Sequence, residues 1–215
     1  MANKAKSTVH LGLPETATSA ERILERAIQV IDRGGEVAIR TNIIAKECGV
    51  TPPILYRAFG SREGLVIAAQ AERYRRSSEV ATRLLVERIT AAESREDLIR
   101  AVSESLDFIF SSERVPMRRL RAQVLGSAIT RPELQAEIHK VNSDYAKKLG
   151  IAYTRALREN WVTKEISMED IALWSISLTS ARITLELEPK KDDVMHENWN
   201  VLSKKAIMYA IFGDF

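Results

Sequence analysis

The sequence has almost nothing with which to brace itself covalently: Cys48 is its single cysteine, so no disulfide can close within the chain. That usage fits a reducing compartment, and a lone cysteine spaced with apolar neighbours reads as a small core residue. Aromatic residues make up only 6% of the total, and the three histidines, His10, His139 and His196, stand far apart. No His, Cys, Asp and Glu set has metal-ligand spacing. Phosphate loops, dinucleotide-binding glycine triplets and nucleophile elbows are missing too. The carboxylates are interleaved with Lys and Arg, as on solvated helix faces. The expectation is a non-enzyme with no catalytic residue, metal or cofactor. No run approaches the roughly 20 apolar residues that span a bilayer, and the first twenty residues lack a signal core. A soluble, cytoplasmic protein without membrane attachment is expected.

What is present is helix-forming sequence. Hydrophobic residues at 45% and charged residues at 28% are ordinary for a globular protein, and 215 residues suffice for a full core. No alternating strand pattern bounded by turns occurs, so an all-α fold of about nine helices is expected. The formal net charge of +3 is small but unevenly placed. Residues 1–80 hold 12 Lys and Arg against 9 Asp and Glu, whereas the remainder is balanced at 20 of each. Residues 1–17 are polar and small, and read as a disordered leader. No linker or repeat divides the chain beyond residue 17, so the division is one of role, with residues 18–75 as one domain and 76–215 as another.

Thr18 and Glu21 have capping-box spacing ahead of an apolar stripe of Leu24, Ala27, Ile28 and Ile31, and Gly34-Gly35 ends that helix. The same signal recurs at Ser94 with Asp97, Thr130 with Glu133 and Ser167 with Asp170. These predict helices over 95–111, 131–161 and 168–188, with others over 116–129 and 196–212. In the helix after Ser167, and again in the last one, apolar residues fall on more than one face. Such helices are covered on several sides, and the second cover is expected to be another copy of the chain. The interface candidates are Trp174, Leu178, Ala181, Leu185, Leu202, Ala206, Tyr209 and Ala210, paired in a four-helix isologous contact.

The most informative stretch is 41–65. Ile44, Ala45 and Cys48 share a helical face, Gly49 suits the residue just past a helix end, and Thr51-Pro52 suits the cap and first position of a second helix. Ile54, Leu55, Ala58 and Phe59 follow at helical spacing. This is helix, tight turn, helix, the arrangement whose second member can enter a DNA major groove. From Val37 to Arg76 there are seven basic residues against three acidic, a local surplus that suits a phosphate-facing surface. Arg40 and Thr41 lie near the start of the first helix of the pair, where amides and dipole favour a phosphate.

The run Ile44-Ala45-x-x-x-Gly49-Val50-Thr51-x-x-x-Leu55-Tyr56-x-x-Phe59-x-Ser61-Arg62-x-x-Leu65 resembles the TetR family of bacterial transcriptional regulators. The resemblance spans about Ser19 to Leu65. It implies that Thr51–Arg57 is the recognition helix, that Tyr56 bonds a phosphate, and that Arg62 stands where the family usually has a lysine for the same task. The sequence departs from the pattern at Ile54, in place of a usual threonine, and at Ala58, in place of a common aromatic or histidine. Pro52-Pro53 also removes two amide donors. The DNA-binding set is then Arg40, Thr41, Thr51, Pro52, Pro53, Tyr56, Arg57, Ser61 and Arg62. Arg57 is the base-reading candidate, since a guanidinium can bond guanine O6 and N7 together, and Tyr56, Ser61, Arg62, Arg40 and Thr41 are the phosphate grips.

The resemblance further implies a homodimer on a palindromic double-stranded DNA operator, acting as a repressor and released by a small-molecule effector. An activator on the same scaffold is the alternative, with an all-α enzyme or passive interaction module as readings of a different class. The candidate effector residues are Leu106, Phe110, Leu120, Val124, Tyr145 and Trp174, with Arg121 or Asp107 as polar anchors. Their apolar bias points to an apolar or amphipathic molecule.

Overall fold

The computed structural model describes residues 11–187 and 193–213. Among them every regular element is helical: α1 (Ser19–Gly34), α2 (Thr41–Glu47), α3 (Pro52–Phe59), α4 (Arg62–Ala91), α5 (Arg95–Phe110), α6 (Val115–Ala128), α7 (Pro132–Ala152), α8 (Thr154–Arg158), α9 (Met168–Ala181), α10 (Ile183–Glu186) and α11 (Asp193–Phe212). Short 3-10 turns at Glu36–Ala38 and Ser112–Arg114 precede α2 and α6. α8 continues α7 across a break at Tyr153, and α10 continues α9 across Arg182. Counting each as one rod with a kink gives nine among the described residues, as the periodicity predicts. Of the leader, residues 1–10 lie outside the described residues, while Ala17 N–H closes a turn on Pro14 O.

The chain forms two compact units, one ending at Arg73 and the other beginning at Tyr74. In the first, α1, α2, α3 and the start of α4 bury one apolar cluster. Ile23, Ala27, Ile39, Ala45, Leu55, Leu65, Val66 and Ala69 are wholly removed from solvent, and Ile44 nearly so. Each large aliphatic side chain buried this way stabilises the fold by roughly 1.5–3 kcal/mol before entropy is counted. Thr18 caps α1 as expected: its Oγ accepts from Glu21 N–H, and the Glu21 carboxylate accepts from Thr18 N–H at 2.7 Å. These hydrogen bonds hold the Glu21 carboxyl below its ordinary range. Cys48 is buried and donates weakly to Arg22 O, and burial pushes its thiol pKa up, as befits packing rather than chemistry.

The second unit buries Leu98, Val102, Leu106 and Phe110 of α5 against α7, α9 and α11. The caps at Ser94 and Ser167 form as expected, each Oγ accepting from the amide three residues on. The one expected at Thr130 does not. Arg131 occupies the cap position of α7, extended and with no side-chain bond, and Pro132 takes the first helical place. A proline there confines its predecessor to extended backbone, which moves the start of the helix one residue past the hydroxyl. The single helix expected over 131–161 ends instead at Arg158, where Asn160 at φ 57° lets Trp161 N–H reach back to Ala156 O at 2.8 Å. This is the closing bond of a left-handed C-cap. The far end of the helix expected over 168–188 lies outside the described residues at Glu188.

Candidate nucleic-acid interface

α2 and α3 meet through a turn made by glycine. Gly49 has φ +69°, Val50 N–H bonds Ala45 O at 2.9 Å, and Gly49 N–H bonds Lys46 O at 3.2 Å. That pair of bonds is the Schellman closure, which needs the left-handed conformation at the glycine. Ala45, without a side chain beyond Cβ, is fully buried at the crossing, and Val50 packs on the cluster beside it. α1 is tied to α2 by Arg26, whose Nε donates to Glu47 at 2.8 Å; that bond raises the guanidinium pKa further. Arg73 of α4 likewise reaches Asp32 of α1 at 2.7 Å.

α3 buries Leu55 and turns its other side to solvent. Thr51, Pro53, Tyr56, Arg57 and Ala58 are exposed, while Pro52 and Ile54 are half-buried. The hydroxyl of Thr51 does not cap α3. With prolines at 52 and 53, the first amide available is that of Ile54, and it bonds Thr51 main-chain O at 3.0 Å instead. The Thr51 hydroxyl is therefore unused by the helix. Arg57 is exposed, and no hydrogen bond or ion pair among the described residues holds its guanidinium. Thr41 Oγ1 and Tyr56 OH are 3.0 Å apart, joining the start of α2 to the exposed side of α3.

The two flanking arginines converge on one turn. Arg40 Nη1 donates to Val37 O at 2.6 Å and to Ile39 O at 3.2 Å; Arg62 donates from Nε to Ile39 O at 3.1 Å and from Nη2 to Glu36 O at 2.6 Å. Both side chains are exposed, but part of each fork fixes the chain ahead of α2. Ser61 Oγ accepts from Gly64 N–H at 2.9 Å and caps α4. Gly64 matters here without standing out in the sequence. A Cβ there would stand 2.1 Å from Phe59 O, so only glycine allows α4 to start this close to the end of α3. Its one signal is a glycine in the first turn of a helix, a place propensity disfavours.

A short helix pair with a buried hinge, an outward phenol and an unheld guanidinium is a surface built to meet a duplex. Residues 23–69, which include the whole of it, match the family model of bacterial regulatory proteins, tetR family. Residues 23–69 are thus a tetR-family DNA-binding region, and the chain is a DNA-binding transcriptional regulator. No curated protein matches its sequence. Among solved structures, a Rhodococcus sp. protein assigned to the TetR family is 21% identical, covering 90% of this chain and 98% of its own, with a TM-score of 0.62. A TetR-family transcriptional regulator from Cytophaga hutchinsonii is 13% identical, covering 94% and 100%, with a TM-score of 0.62. A Saccharomonospora viridis protein solved in complex with choline is 16% identical, covering 90% and 97%, with a TM-score of 0.57. At these identities the likeness is one of fold.

The second unit contains a cavity of about 110 Å³. Of the residues expected around an effector, Leu106, Arg121 and Tyr145 line it. Phe110, Leu120, Val124, Trp174 and Asp107 do not. Phe110 packs edge-on against Trp199, Val124 is fully buried elsewhere, and Trp174 is exposed. Asp107 pairs with Lys204 at 2.6 Å on the outside. Burial pushes the Tyr145 phenol up to about 12, so it lines the wall as a neutral group. On α9 and α11, Trp174, Ala181, Leu202, Ala206 and Tyr209 are exposed, while Leu178 and Ala210, packed against the core, and Leu185 of α10 are half-buried. Among the described residues no helix is long and apolar enough to cross a membrane, and no His, Cys, Asp and Glu cluster has the makings of a metal site.

Proposed function

We propose that this regulator is a cytoplasmic homodimeric repressor that binds a near-palindromic operator and leaves it when a small molecule enters the second unit. The observation that carries the DNA-reading half is the solvent face of α3, where Arg57 stands without a partner among the described residues, beside Thr51, Pro53 and Tyr56. Arg57 reads a guanine edge, and the Thr51 hydroxyl and proline rings meet neighbouring base edges. Tyr56, Thr41, Ser61 and the outward donors of Arg40 and Arg62 hold phosphates and set register.

Dimerisation is supported by large apolar side chains left in water on α9 and α11, Trp174, Leu202 and Tyr209 among them. Surfaces of that kind are commonly covered by a partner, and two-fold pairing presents two copies of α3 to successive major grooves, about 34 Å or a small multiple apart. Effector release is supported by the cavity, and by the choline complex of a protein with this fold. A ligand can shift the protein off DNA only by its preference for the non-binding state. Selecting bound duplexes from a random pool tests the reading. An inverted repeat should emerge from the selected pool. Enrichment of asymmetric sites, or of none, overturns it.

A further inference from the structure

The cavity of the second unit has a largely apolar lining that also holds three arginines of one segment. Leu106, Met168, Ile171 and Ile207 belong to its hydrocarbon wall, and Arg114, Arg118 and Arg121 of the α6 segment line it together with Ser78 and Ser180. Only one of these arginines meets a carboxylate among the described residues. Arg118 meets Glu186 at 2.6 Å, and that carboxylate is also 3.6 Å from Arg182. Arg118 and Arg182 thus share one carboxylate, and Arg114 and Arg121 pair with none among the described residues. Arg121 bonds uncharged partners, donating to Ser78 Oγ and, at 2.6 Å, to Tyr74 OH, and it lies 4.3 Å from the centre of the Tyr74 ring. Arg114 donates to Ser77 O at 3.0 Å and faces the Phe108 ring.

Guanidinium groups withdrawn from water without a carboxylate lose hydration that hydroxyls and aromatic faces replace only in part. Burial lowers the pKa of both Arg114 and Arg121, and neighbouring arginines lower that of Arg114 further. An anion placed between them restores the missing charge, and the planar fork suits a carboxylate because it can donate two parallel bonds. The rest of the lining is mostly hydrocarbon, with uncharged hydroxyls such as those of Tyr145, Ser175 and Thr179 among it.

We propose that this cavity takes an amphipathic carboxylate, its headgroup held by Arg121 and Arg114 and its hydrocarbon tail laid against Leu106, Ile171 and Ile207. The inference rests on the reading of the second unit as an effector domain, and it names the effector's chemical class.

Calorimetric titration of the full chain with three probes of equal chain length, decanoate, decanol and decyltrimethylammonium, tests it. Decanoate should bind tighter than decanol by about tenfold or more, and the cationic probe should bind weakest. Arg121→Gln should weaken decanoate by roughly 10- to 100-fold while leaving decanol unchanged, and Arg121→Lys should restore part of the loss. Circular dichroism of each variant separates a lost contact from a lost fold. Equal affinity for decanoate and decanol, tighter binding of the cation, or no binding of any probe overturns the proposal. A parallel titration against selected DNA keeps the two readings apart. If decanoate binds through Arg121 and leaves DNA affinity untouched, the carboxylate site stands and release by an effector falls.

Discussion

In the unit ending at Arg73, Arg26 pairs with Glu47 and Arg73 with Asp32, while Arg57 stands in water. In the unit beginning at Tyr74, Arg114 and Arg121 line a cavity with no carboxylate beside them among the described residues. The same side chain serves two purposes. An arginine in water keeps its hydration until a polyanion displaces it, which suits a partner that must be found and released. One half-buried in a cavity wall has already lost part of its water, which suits a small partner that must be told from neutral analogues of similar shape.

The sharpest break in that comparison is at Glu186, the carboxylate shared by Arg118 and Arg182. Glu186→Gln leaves Arg118 and Arg182 buried and uncompensated, and should lower stability by about 3–5 kcal/mol in urea unfolding. Glu47→Gln, which frees the better-hydrated Arg26, should cost only about 1 kcal/mol. Comparable losses for the two would erase the distinction between the units. Next comes alkaline pH. Tyr145 ionises near 10 when unfolded but near 12 in the folded chain. A raised acid pKa means the folded state holds its proton longer. Its share of stability is therefore intact below pH 10 and falls by about 3 kcal/mol as pH rises from 10 to 12. Tyr145→Phe should make that part of the pH profile shallower, leaving the share of Tyr153, whose phenol burial also pushes up.

On the DNA side, Arg57→Ala should remove roughly 1–3 kcal/mol of discrimination at one base pair while leaving thermal unfolding where it was. Unchanged sequence preference would refute the role given to it. The smallest effect is at Thr18, where replacing the cap hydroxyl with Thr18→Ala should cost about 1 kcal/mol of stability and leave effector binding alone.

The parts of this molecule legible in its sequence are those fixed by near neighbours. The Gly49 turn, the Thr18 capping box and the caps at Ser94 and Ser167 depend on residues three to five positions apart, and each forms as its spacing predicts. Thr130 fails by the same logic, because Pro132 competes locally for the start of the helix. The cavity is harder to foresee because its wall is assembled from α4 through α11. Leu106, Arg121 and Tyr145 are readable as parts of an apolar stripe or as a polar anchor. Ser78, Arg114 and Ile207, which complete the lining, carry no local mark of it. Asp107 has the chemistry of an anchor, but Lys204, distant in sequence, stands beside it and holds it outside.

The hydrogen bond between Thr41 and Tyr56 has a consequence for how binding begins. Two hydroxyls 3.0 Å apart share one proton in either sense. On the proposed reading, a phosphate oxygen arriving at the phenol would select the sense in which the threonine donates to the tyrosine and the tyrosine donates outward, so that the dipoles align along the path of the incoming charge. Only hydrogens would turn. The proposed grip would then be cocked before contact, and fastening it would ask for no movement of the helices that carry it.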